Sequence, residues 1–148
     1  MKIDIRRATR EELSEVGTLL EANGLPPLPR AIALSNVLVA LEQGAVIGVV
    51  TLEVVARWGF TRWTTVAQAH EAGGVRASLL HSLIARTLEL GLRAIYLMTE
   101  TPPKIFGDLG FTPVSQREVP SEVQKIRSYR DVDPGTVDVL RLELETRI

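Results

Sequence analysis

The sequence predicts an α+β domain with a mixed, mostly antiparallel sheet of six to seven strands flanked by helices. Three features carry that expectation. Polar and apolar residues alternate near both ends of the chain, in KIDIRR and TVDVLRLEL; β-branched residues dominate AVIGVVTLEVV; and apolar residues recur at helical spacing over 13–20 and 75–88. With 148 residues, one domain spanning 1–148 is expected, large enough to bury roughly 68–70% of the surface its unfolded chain exposes.

In chain order, Ile3 and Ile5 share one face of a first strand. Thr9 stands three residues before Glu12, the spacing of a capping box, and Leu13, Val16, Leu19 and Leu20 form an apolar stripe that ends at Gly24. Three prolines in LPPLPR stop the helix and predict a stiff connection, either a plain loop or the rim of a cleft. NVLVAL and AVIGVVTLEVV flank Gln43 and Gly44 and read as a hairpin, followed by a third strand over 60–67 after a break at Trp58 and Gly59. QAHEAGG lacks periodicity and reads as a glycine loop. It feeds a long amphipathic helix that carries Val75, Leu79, Leu80, Leu83, Ile84 and Leu88 and closes at Gly91. Beyond it, RAIYLM is a buried strand, KIFGDL one or two helical turns, GFTPV another strand, VPSEVQKIRSY a short helix and TVDVLRLEL an edge strand.

Composition narrows the chemistry. Seventeen basic and eighteen acidic side chains give a formal charge of −1, with no basic excess to neutralise a phosphate backbone, so a nucleic-acid partner is not expected. There is no cysteine, which removes disulfides, thiolate ligands and thiol nucleophiles, and His70 and His81 are too few for an ordinary imidazole metal centre. The charged start MKIDIRRATR and the lack of an apolar run of roughly 18 residues leave a cytoplasmic location, with no membrane partner, as the expectation.

The passage from strand to glycine loop to helix, 64–80, is the most informative stretch. Glycines let a backbone approach a ligand closely, and the unpaired amides of a helix N-terminus favour an anion such as a pyrophosphate. The order strand, helix, hairpin, strand, glycine loop, long helix, strand, short helix, strand resembles the GNAT superfamily of acyl-CoA-dependent N-acyltransferases. The resemblance covers nearly the whole length and is clearest at IDIRRATREELSEV, at VAQAHEAGGVRASLLHSLIARTLELGLRAIYL and at TPPKIFGDLGFTPV. The later pieces, with REVPSEV, are also similar to a branch of small GNAT enzymes that acetylate amino-acid-like amines, including arsinothricin-type resistance enzymes.

That resemblance implies acetyl-CoA as acyl donor, a small-molecule primary amine as acceptor, direct transfer, and a pyrophosphate cradle at Ala72, Gly73, Gly74, Val75 and Arg76, with Val66 and Ala67 on the strand before it. A backbone amide near Val66 would polarise the acyl carbonyl. A homodimer, formed through the carboxy-terminal strand, is permitted by the same likeness. Three positions depart from the family pattern. Glu71 replaces a basic or glutamine residue, Arg76 replaces a small one, and Phe106 stands where many members carry a proton-donating tyrosine. A carboxylate about 6 Å from a phosphate costs on the order of 1–3 kcal/mol relative to a neutral residue. Arg76 either contacts phosphate directly or lies across the groove. The departures leave room for the alternative of a GNAT-fold binding or interaction module with little or no catalysis.

The carboxylates that this topology directs toward a central cleft are Glu53 and Glu100, candidates for the general base and otherwise solvated edge residues. Thr99 and Thr101 offer hydroxyls beside Glu100. Arg57, Arg62 and Arg117 are candidate carboxylate anchors or plain surface charges, and His70 and His81 are expected on the exposed loop and on the solvent side of the helix. Tyr96 reads as core, and Trp58, Phe60 and Trp63 as a packed aromatic cluster.

Overall fold

A computed structural model describes residues 3–28, 36–62, 64–99, 104–133 and 135–144. The elements run β1 (Ile3–Arg7), α1 (Leu13–Ala22), β2 (Val37–Glu42), β3 (Ala45–Thr51), β4 (Glu53–Val55), β5 (Trp58–Thr61), β6 (Thr64–Val66), α2 (Val75–Glu89), β7 (Ala94–Thr99), α3 (Lys104–Asp108), β8 (Thr112–Val114), α4 (Ser121–Gln124), α5 (Arg127–Arg130) and β9 (Asp138–Glu143). Tighter 3-10 segments occupy Arg10–Glu12, Gln68–Gly73 and Gln116–Glu118. Two compact units form, Met1–Leu52 with Trp63–Arg86, and Glu53–Arg62 with Thr87–Ile148. The α+β architecture is as expected. Two of the expected strands are each divided, one at Leu52 and one after Thr61, so that nine strands form two sheets among the described residues.

The first unit holds a four-stranded antiparallel sheet in the order β1-β2-β3-β6. β2 is buried along nearly its whole length, as VLVALE demands of a strand covered on both faces. On one face Val37, Val39, Leu41 and Val49 meet Val16, Leu19 and Leu20 of α1. The capping box forms as the sequence indicates, at a 3-10 turn that leads into α1: the Thr9 N–H donates to Glu12 at 2.8 Å. Arg6 holds the same carboxylate through two bonds of 2.8 and 2.7 Å. On the other face α2 approaches β3 at Gly48, where a Cβ atom would lie 2.8 Å from Leu79 Cδ1 and 3.3 Å from Val75 Cγ1. A side chain at this position would force Leu79 or the helix to shift.

The second unit holds a five-stranded sheet in the order β4-β5-β7-β9-β8, with β5 and β7 parallel and the other pairs antiparallel. The break expected at Trp58 and Gly59 lies elsewhere. Both residues are in β5, and the chain turns just before them at Ala56, whose φ is 53°. β9 is not an edge strand, since β7 and β8 flank it; the edge falls to β8, whose Pro113 lacks a donor for a further neighbour. β7 is buried over most of its length. Phe60, Tyr96, Met98 and Val139 are covered by Val119, Val123, Ile126 and Tyr129, from a connection that forms two separate helical turns, α4 and α5, in place of one short helix.

Candidate active site

β6 is the edge strand of the first sheet, and its register fixes which backbone groups face outward. Ala67 N–H donates to the Ile47 carbonyl at 2.8 Å, and Thr65 stands opposite Val49. By the alternation of an antiparallel ladder, Thr65 and Ala67 turn their groups toward β3, and Val66 and Thr64 turn theirs the opposite way. Val66 is fully buried. The expected polarising amide therefore belongs to a strand edge.

The segment after β6, expected as a loop, is a 3-10 helix over Gln68–Gly73 that ends at Gly74 in the left-handed region with φ 75°. Ser78 N–H to the Gly74 carbonyl, 3.1 Å, is the first intrahelical bond at the head of α2. Val75, Arg76 and Ala77 make up the turn before it, where a helix start directs its backbone N–H groups outward along the axis. The residue at the capping position is glycine, with no side chain to satisfy them, and the first turn carries no acidic residue. The residues expected here from the sequence, Gly73, Gly74, Val75 and Arg76, lie at this helix start, and Ala77 follows them in the same turn.

Arg76 of the first turn reaches the strand before it. Its Nη1 donates to the Thr64 carbonyl at 2.6 Å, so the guanidinium lies along the outward edge of β6. His70, expected as an exposed loop side chain, is half-buried, with Nε2 3.1 Å from Oε1 of Glu42. No periodicity signals a bond between positions 28 apart. His81 is exposed, as expected.

In the second unit Glu53 is half-buried and stands opposite Phe60 in the β4–β5 pair. Glu100, Thr101 and Trp63 lie outside the described residues. Phe106 is buried and packs edge-on against Phe111, ring centroids 5.9 Å apart. Tyr96 is core, edge-on to Trp58 at 6.0 Å. A hydrogen bond to Tyr96 raises the Arg141 guanidinium above its ordinary value. Tyr129 stacks edge-on against Phe60 at 5.8 Å, its hydroxyl is buried without a partner among the described residues, and burial pushes its ionisation upward. Arg57 and Arg117 are exposed and Arg62 is half-buried. Among the described residues no group of three metal-ligating side chains comes together, and no helix is long and apolar enough to cross a membrane.

No family model and no curated protein matches the sequence. Solved structures do. N-acetylglutamate synthase from Neisseria gonorrhoeae, complexed with coenzyme A and N-acetyl-glutamate, aligns with a TM-score of 0.82 and 22% identity over 99% of this chain and 36% of that one. The chain thus spans about a third of the length of that synthase. An acetyltransferase of the GNAT family from Staphylococcus aureus Mu50 aligns at 0.75 and 16% identity, over 97% of this chain and 100% of that one. The ribosomal-protein-S18-alanine N-acetyltransferase from Escherichia coli aligns at 0.72 and 12% identity, over 99% and 96%. With the strand order and the glycine-capped helix described above, these alignments identify the fold of the chain as that of the GNAT acetyltransferases.

Proposed function

We propose that the chain is an N-acyltransferase that moves an acetyl group from acetyl-CoA to a primary amine of a small molecule by direct transfer. The observation that carries the reading is the opening of α2: the helix begins directly after a left-handed glycine that offers no capping side chain, and its first turn carries no carboxylate. Such an opening suits a diphosphate. Its setting is a fold whose solved examples include complexes with coenzyme A.

Gly73, Gly74, Val75 and Arg76 would hold the diphosphate through main-chain N–H groups, with Ala77 completing the turn and Val66, Ala67 and Ala72 lining the approach. Acetyl-CoA, when bound, supplies an acetyl group activated as a thioester. The Val66 N–H, directed outward from its strand, is suited to donate to the acyl carbonyl oxygen, where negative charge grows during transfer. Glu53 or Glu100 takes the proton of the acceptor ammonium, directly or through water, and leaves the amine lone pair able to attack. Phe106 has no proton to give, so the leaving sulfur takes its proton from another donor.

The choice of a small amine follows the sequence likeness to amino-acid-acetylating enzymes and the structural likeness to N-acetylglutamate synthase. A screen of amines with detection of released thiol tests it. Thiol released with small primary amines, and not with peptides alone, supports the reading; no release with any amine, together with no thermal shift at millimolar coenzyme A, overturns it.

Phe106 favours a second reading, a binding module of the same fold. Buried against Phe111, it contributes packing at a position where the sequence likeness implies a proton donor. Coenzyme A binding without thiol release from any amine is the result that distinguishes this module.

A further inference from the structure

Glu42 closes β2 in the interior of the four-stranded sheet, opposite Ile3 on one side and Ala45 on the other. His70 lies three residues before Gly73, in the 3-10 segment that leads to α2. Their side chains are 26% and 21% exposed, and one bond of 3.1 Å joins them. The second polar atom of each, Glu42 Oε2 and His70 Nδ1, is buried with no partner among the described residues. A pair left half satisfied in this way is a weak source of stability, because desolvation offsets much of its attraction. Its geometric effect is more specific. The 3-10 segment leaves the sheet at the Ala67–Ile47 bond and has no side-chain cap of its own. His70 gives the segment a second point of attachment, on a strand that its neighbours hold on both sides.

We propose that His70 and Glu42 are a positioning pair: by fixing the 3-10 segment to β2 they set the direction of the N–H groups from Gly73 to Ala77, and so the affinity for a diphosphate-bearing coenzyme. The inference rests on the coenzyme reading given above. Neither residue touches the reacting atoms. The pair acts through the backbone that follows His70, so the loss of either partner has the same consequence.

Calorimetric titration of the full chain with coenzyme A separates the two ideas. If the wild-type protein does not bind, the coenzyme reading itself fails. If it binds, His70→Ala and Glu42→Ala are each expected to weaken binding by about 5- to 20-fold, and the double variant no further than the weaker single, as for one shared interaction. His70→Gln, which keeps a donor, is expected to stay within about threefold of wild type. Two independent effects give additive losses and no rescue by glutamine. Wild-type affinity in His70→Ala, or additive losses in the double variant, overturns the proposal. Should His70→Ala not fold, Glu42→Ala and Glu42→Gln decide in the same way, with glutamine expected to retain binding and alanine to lose it.

Discussion

Arg76 in the first turn of α2 reaches back to the carbonyl of Thr64 and seats its guanidinium on the outward edge of β6. The bond is 2.6 Å long and replaces, at that carbonyl, any partner that would run along the strand. Removing it exposes a backbone acceptor beside the Val66 amide. Arg76→Ala is therefore expected to raise coenzyme A affinity by about 3- to 10-fold while lowering stability by about 0.5–1.5 kcal/mol, the net value of one hydrogen bond. Titration calorimetry and urea unfolding read the two effects. A fall in affinity would show instead that the guanidinium serves the phosphate.

Gly48 sets how closely α2 lies on its sheet. A Cβ there meets Leu79 Cδ1 at 2.8 Å and the stiff Val75 Cγ1 at 3.3 Å, both in the half of the helix that opens toward the proposed ligand. Gly48→Ala is expected to cost about 1–3 kcal/mol by overpacking. Combined with Leu79→Ala it should cost less than the two changes summed, because the second removes the atom that the first strikes. Strict additivity in urea unfolding would mean that the contact is relieved some other way.

Glu71 precedes the glycines by two residues and carries the wrong charge for a phosphate neighbour. Glu71→Arg replaces a repulsion with an attraction and is expected to tighten coenzyme A binding at least about tenfold, with a steeper loss of affinity as salt is added. Titrations at two ionic strengths check both parts. Equal affinities for the two proteins would place the ligand's phosphates away from this side chain.

Glu12 supplies the pH dependence. The paired bonds from Arg6, helped by the Thr9 N–H, hold its carboxyl below the usual glutamate range. A carboxyl depressed in the folded state stabilises fully above its unfolded value and loses that contribution as the pH falls through the folded one. Glu12→Gln should therefore be less stable than wild type near neutrality, and the gap should narrow as the pH falls below the ordinary glutamate range. Chemical unfolding across that range decides; a gap that stays constant with pH would remove the carboxylate as its source.

What the sequence makes legible is local. The Thr9–Glu12 box, the stripe of α1 and the length of α2 each depend on spacings of three or four residues, and they form largely as read, with Leu13 at the start of α1 and Leu88 near the end of α2 exposed rather than packed. What it hides is partnership across the chain. TVDVLRLEL alternates like an edge strand, yet β9 lies between β7 and β8, because alternation reports a covered face and says nothing of neighbours. The turn at Ala56 needs a positive φ that sequence assigns to glycine or asparagine. QAHEAGG lacks apolar periodicity because a 3-10 segment is too short to show any. Within the candidate site, Gly74 was legible from its type; the bonds from His70 to Glu42 and from Arg76 to Thr64 were not, since they join positions 28 and 12 apart.

The decisive experiment follows the backbone itself. Amide resonances of the isotope-labelled protein, recorded during addition of coenzyme A, should shift most at Gly73, Gly74, Val75, Arg76 and Ala77, with Val66 also moving and the amides of α1 little changed. Saturation with those five resonances unmoved, or no shift anywhere at millimolar ligand, would mean that the opening of α2 does not bind a diphosphate.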